Sequence, residues 1–134
     1  MGGLSEDAAG ARYAPGKWNV RELLGHVIDT ERVMAFRAFW FARGGAALPG
    51  FDQDPFSRSA GHDRVPLARL IDEFCCARES HLYVLRQLDP EAWARVGRID
   101  GHPLSVRAAA WIMAGHVIWH GRTLATSYGV PFSG

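Results

Sequence analysis

The sequence predicts an all-α domain carried by three long helices. Apolar residues recur at helical spacing over 19–43, 66–88 and 105–128, and each stretch is bounded by a capping residue or by glycine and proline. No segment competes as a strand. A chain of 134 residues fits a single domain, 1–134, large enough to bury a core.

Residues 1–18 read as irregular, with Gly2-Gly3, Gly10 and Pro15-Gly16. Ser5 to Ala9 can form one helical turn, too short to act as a bundle member. Asn19 is an N-cap residue with Glu22 three positions on, close to a capping box. From Val20 to about Ala42 the pattern is helical and free of proline, and it stops at Gly44-Gly45. Its apolar surface, wide towards Phe36, Phe39 and Trp40, is expected to touch more than one neighbour.

Residues 43–66 read as a long connection pinned by Phe51 and Phe56, able to carry the chain back along the first helix and leave the next one parallel to it. The second helix spans about Leu67 to Leu88 and ends at Asp89-Pro90. Pro90 to Trp93 suits a short turn, and Val96 to Leu104 reads as a loop. The third helix starts at Ser105 as N-cap and stops at Gly129. Its alanines and glycines make it slim, so neighbours can approach closely.

Apolar residues make up 48% and charged residues 22% of the chain, the balance of an ordinary folded soluble protein. A net charge of +1 with no basic block argues against nucleic acid as a partner. Cys75 and Cys76, adjacent in a helix, cannot form an ordinary disulfide and read as small packing residues. The longest nearly apolar run, Ala108 to Trp119, is broken by His116 and too short to span a bilayer. With no signal-like N-terminus, no membrane partner is expected and the location expected is cytoplasmic.

His116 and His120 stand four residues apart in the third helix, so their rings lie on one face. That face also carries Ala109, Ile112, Met113 and Thr123 and lacks charge, so the rings are expected to point into a core. Two imidazoles on successive turns form a clip for zinc, nickel, iron or copper. A third donor is sought first at His26, seven residues into the first helix, which comes level with the pair if the two helices run antiparallel. Three imidazoles leave coordination positions open for water or substrate. The other reading, interior histidines bonded to hydroxyl or carbonyl groups, stays open at this point. Glu22 and Asp29 could orient His26 or be ordinary surface charges. Arg37 and Arg78 face inward, to meet a substrate carboxylate or a buried acid. His81 is expected to hydrogen-bond within the core, and His62 and His102 to be solvated.

Tyr13-Ala14-Pro15-Gly16-Lys17-Trp18-Asn19-Val20, Leu24-Gly25-His26 with Asp29-Thr30-Glu31-Arg32, Leu48-Pro49-Gly50-Phe51-Asp52 and Ala114-Gly115-His116 with His120 together resemble the DinB-like superfamily. This superfamily includes the DinB/YfiT proteins, thiol-dependent S-transferases and maleylpyruvate isomerases, and the resemblance runs from about residue 11 to 128. It implies a four-helix bundle of up-down-down-up topology with a divalent metal (zinc, nickel, iron or manganese) on His26, His116 and His120. Two departures stand out. A full helix usually precedes the Tyr-x-Pro-Gly-x-Trp stretch, whereas about a dozen residues do here, so a late start, a rearranged N-terminus or a partner chain, expected to be a second copy, is called for. Val117 and Trp119 stand where many relatives are polar, which makes the pocket more apolar.

The activity expected is a metal-dependent transferase that joins a low-molecular-weight thiol to an electrophile. The alternatives are a non-catalytic metal- or ligand-binding stress-response bundle, and a structural domain without metal.

Overall fold

Helix α2, Val20–Ala42, is the element on which the others pack. Asn19 caps it: the Asn19 side chain accepts from the Glu22 amide at 2.8 Å while Glu22 accepts from the Asn19 amide at 2.8 Å. A reciprocal box of this kind satisfies two otherwise orphaned donors and contributes about 1 kcal/mol. The computed structural model describes residues 3–133.

The remaining helices are α1 (Glu6–Gly10), α3 (Gln53–Ala60), α4 (Leu67–Arg86), α5 (Pro90–Ala94) and α6 (Val106–Tyr128). α1 is one turn long, yet Glu6 fixes its place by accepting from the Leu67 amide at the start of α4 and from Arg21, each at 2.8 Å. α4 has no side-chain cap of its own, so this contact supplies one. Ser105 caps α6, and Gly129, at φ +65°, ends it in the left-handed conformation that a side chain would disfavour.

Two apolar clusters set the directions of the three long helices. Val20, Leu23, Leu24 and Val27 at the start of α2 pack with Leu67 and Leu70 at the start of α4 and with Leu124 near the end of α6. Met34, Ala38 and Phe41 at the other end of α2 meet Leu85 from the end of α4 and Val106, Ala109 and Met113 from the first half of α6. α4 therefore runs parallel to α2 and α6 antiparallel to it. The fold is mostly helical, with the down-down-up part of the expected bundle in place. Phe41, Ile28, Leu70, Val20 and Val106 are the fully buried apolar anchors, each stabilising by about 1.5–3 kcal/mol relative to exposure.

The expectation of no strand is corrected. Ala47–Leu48 (β1), Val96–Ile99 (β2) and His102–Ser105 (β3) form a three-stranded sheet, β1 parallel to β2 and β2 antiparallel to β3. The β2–β3 hairpin turns on Asp100-Gly101 with φ of +47° and +82°, the Asp-Gly signature of a two-residue turn. Asp100 also accepts from the Gly50 amide at 2.9 Å, which ties β1 to the hairpin. The connection 43–66 is likewise more ordered than a loop, since it contains β1, α3 and a 3₁₀ turn at His62–Arg64. Cys75 and Cys76 are exposed, not packed. Among the described residues no helix is long and apolar enough to cross a membrane.

Candidate metal centre

The antiparallel pairing of α2 with α6 brings three rings to one level. His26 Nε2 lies 3.0 Å from His116 Nε2, and His120 Nε2 lies 3.1 Å from the same atom. One nitrogen from each ring lies within 4.8 Å of the other two. His26 is 3% exposed, and His116 and His120 are half-buried. Trp18 stacks on His26 at a centroid separation of 4.8 Å and a tilt of 37°. Of the face expected to bury the pair, Ala109 and Met113 are buried but Ile112 is exposed, so the stripe is narrower than its spacing indicated.

The donor set fits a cation better than it fits itself. The Nε2 of a neutral imidazole has one N–H or one lone pair. His116 Nε2, with a neighbour on each side, can complete one good hydrogen bond and leaves the third nitrogen without one. A cation at their common point accepts all three lone pairs. The two contacts to His116, 3.0 and 3.1 Å, are spacings that nitrogens sharing one divalent ion would adopt. Burial opposes the charged imidazolium, and each ring would repel a second charge. The His26 pKa is accordingly pushed down to about 4, first by desolvation and then by His116 and His120. The His120 pKa falls to about 4 through desolvation and His116, and burial lowers that of His116. All three are neutral, metal-ready ligands at pH 7.

The other expected site residues lie elsewhere. Glu22 is occupied by the capping box and by Arg12, 2.9 Å away, so it is not set to orient His26. Asp29 is 3.9 Å from Arg32. Arg37 donates to the Met34 sulfur at 3.4 Å. Arg78 makes a two-pronged ion pair with Glu31 at 2.7 and 2.8 Å, and His81 Nδ1 is 3.3 Å from the same carboxylate. Glu31 is 2% exposed. Burial pushes its pKa up, but His81 and Arg78 outweigh that and hold it below the usual carboxylate range.

Sequence reasoning overlooked Glu31, an acid placed seven residues after Leu24 on the apolar side of α2, where a charge implies a buried partner. It also placed His62 in solvent. His62 is half-buried over Gly25, where an added Cβ would come within 2.1 Å of the ring, and its Nδ1 is buried with no partner among the described residues. The glycine before His26 was the available signal. His102 is exposed, as expected.

A cleft of about 530 Å³ opens beside the cluster. His120 lines it, with Tyr13, Trp18, Trp119 and Tyr128 as aromatic walls and Lys17, Asp54 and Arg58 among its polar groups. Any molecule reaching the three nitrogens from this side passes aromatic surface first.

Fold and site define a helical-bundle protein with a three-imidazole cluster between antiparallel helices. The chain belongs to the DinB superfamily, whose family model matches residues 1–124. Among solved structures it is similar to YfiT from Bacillus subtilis, described as "a probable metal-dependent hydrolase with an unusual four-helix bundle topology". The TM-score is 0.75 at 15% identity over 97% of this chain and 77% of that one, a likeness of fold. Comparison with curated proteins gives no match.

Proposed function

We propose that this protein holds a divalent metal ion on His26, His116 and His120 and uses it to join a low-molecular-weight thiol to an electrophile. The observation that carries the metal reading is the convergence of three uncharged imidazole nitrogens within 4.8 Å, with no acidic group among them. A divalent ion there supplies Lewis acidity, which lowers the pKa of a thiol or water that joins it. The chain's own residues do the rest. Trp18 packs on the His26 ring and holds its orientation. The aromatic walls of the cleft displace water from the path to His120, and Lys17 and Arg58 draw in substrates bearing a carboxylate or another anion.

The thiol reading rests on the sequence resemblance to thiol-dependent S-transferases. A second reading, metal-dependent hydrolysis, is favoured by the description of YfiT. One experiment separates them. Protein purified without a histidine tag and loaded with zinc, nickel, iron or manganese is incubated with a haloarene and glutathione, bacillithiol or mycothiol, and in parallel with an activated ester without thiol. Thioether formation lost in His120→Ala is expected. Ester cleavage with no thioether selects hydrolysis, metal uptake with neither reaction selects the non-catalytic binder, and no metal uptake removes the reading altogether.

A further inference from the structure

Among the described residues four arginines are half-buried: Arg21, Arg37, Arg78 and Arg95. Three of them meet a carboxylate. Arg21 reaches Glu6 at 2.8 Å, Arg78 reaches Glu31 at 2.7 Å and Arg95 reaches Glu91 at 3.0 Å. Arg37 has no carboxylate within ion-pair distance among the described residues, and its hydrogen bond goes to the Met34 sulfur at 3.4 Å, a weak acceptor. Burial pushes its pKa down, and Asp100 offsets only part of that. The Asp100 carboxylate is committed instead to the Gly50 amide at 2.9 Å. A guanidinium does not deprotonate in a protein, so Arg37 is a partly desolvated cation with donors to spare.

The surroundings of that cation are apolar. A hollow of about 310 Å³ lies beside it, with walls formed by Val33 and Phe36 of α2, by Leu48 and Phe51, and by Phe56 of α3. Phe51 and Phe56 hold each other edge to face at a centroid separation of 4.7 Å, so this wall stands before anything binds. Phe36 and Phe56 are nonetheless 48% and 53% exposed, which leaves the hollow open to solvent. Arg32, on its rim, is taken by Glu73 at 2.7 Å, and Arg37 is the charge left over. No residue lines both this hollow and the cleft at His120. The segment Leu48-Pro49-Gly50-Phe51, which the metal centre and its cleft do not use, finds its place here.

We propose that this hollow is a second ligand site, apart from the metal centre, for a small aromatic carboxylic acid whose carboxylate pairs with Arg37 and whose ring lies among Phe36, Phe51 and Phe56. A carboxylate accepts two parallel N–H bonds from a guanidinium and supplies the negative charge that Arg37 lacks. Phenylalanine edges and faces favour a further ring in offset or edge-to-face contact. The volume is at the lower end of the ~300–1,000 Å³ range of ligand pockets, so a single-ring acid such as an arylacetate fits and a nucleotide does not. The proposal is independent of the metal reading.

The test is calorimetric titration of the full chain, metal-loaded and chelator-stripped, with phenylacetate and with its uncharged analogue phenylacetamide, and with thermal unfolding measured in parallel. Saturable binding of phenylacetate with a Kd of about 1 mM or tighter is expected for a ligand of this size, and at least tenfold weaker binding of the amide. Stripping the metal is expected to leave the affinity within about twofold. Arg37→Met is expected to weaken phenylacetate at least tenfold while keeping or raising the unfolding midpoint, because it removes a cation that has no partner. Arg37→Lys, which keeps the charge without the fork, is expected to weaken it severalfold. Absence of saturable binding overturns the proposal, as does equal binding of the amide or affinity unchanged in Arg37→Met. Binding that requires the metal would seat the acid at the histidines and overturns it, and so does a fall in the Arg37→Met midpoint, which would show the cation already partnered.

Discussion

Helix α2 carries two buried polar clusters, and they are built on opposite terms. Towards α4, Glu31 is met by Arg78 at 2.7 and 2.8 Å and by His81 at 3.3 Å, so its charge and lone pairs are answered within the chain. Towards α6, His26, His116 and His120 turn three like nitrogens on one another with no acid between them. The first cluster is complete and ties parallel helices together. In the second, His116 Nε2 can pair fully with only one of its two neighbours, so the donor set is not completed among the described residues. Satisfied polar groups in a core report on structure, and unsatisfied ones that converge report on a ligand.

The largest effect should come from breaking the complete cluster. Arg78→Ala leaves the Glu31 carboxylate buried without its main partner, and a loss of about 3 kcal/mol in urea unfolding is expected. A loss under about 1 kcal/mol would mean that His81 and solvent replace the guanidinium, and the contrast between the clusters would weaken.

Removing a member of the incomplete cluster should act on binding instead of folding. His26→Ala is expected to reduce divalent-metal affinity about a hundredfold, close to 2.7 kcal/mol, in competition titrations with a chelator. In the wild type, metal at a hundred times its Kd should raise stability by about 2.7 kcal/mol, and that gain should vanish in the variant. Equal stabilisation of both would place the ion elsewhere.

Acid should separate the clusters by window. His26 and His120 have pKa values pushed from 6.5 to about 4, so the metal-free fold resists protonation that the unfolded chain accepts. Stability that is full above pH 6.5 is therefore lost as pH falls from 6.5 towards 4, whereas bound metal is released only as pH approaches about 4, where the folded imidazoles themselves take up protons. Glu31 is lowered from 4.5, so its contribution is present above that value and lost only below it. His26→Ala should flatten the first phase and leave the second. An unchanged profile would show that these imidazoles do not govern the acid response.

Much of this was legible in the residues. Asn19 with Glu22 and Ser105 with Gly129 placed helix ends because capping is a contact among residues three or four apart. His116 and His120 were readable as a pair for the same reason, since one helix fixes their spacing. The hairpin was also present in local signals, at Asp100-Gly101, and was missed because strands of four residues are too short for alternation to show.

The remainder depends on contacts distant in the chain. That His26 meets a pair 90 residues away follows from α6 running antiparallel to α2, which the two apolar clusters decide together. That Arg78 answers Glu31, and not a substrate, follows from α4 running parallel, after a connection whose strand β1 pairs with β2 some 50 residues on. Periodicity and capping are properties of neighbours and are written in the sequence. Strand pairing and the meeting of buried charges are won by packing over the whole molecule, so tertiary structure alone decided them, and the same packing fixes the helix directions that the connection length and the resemblance pointed to.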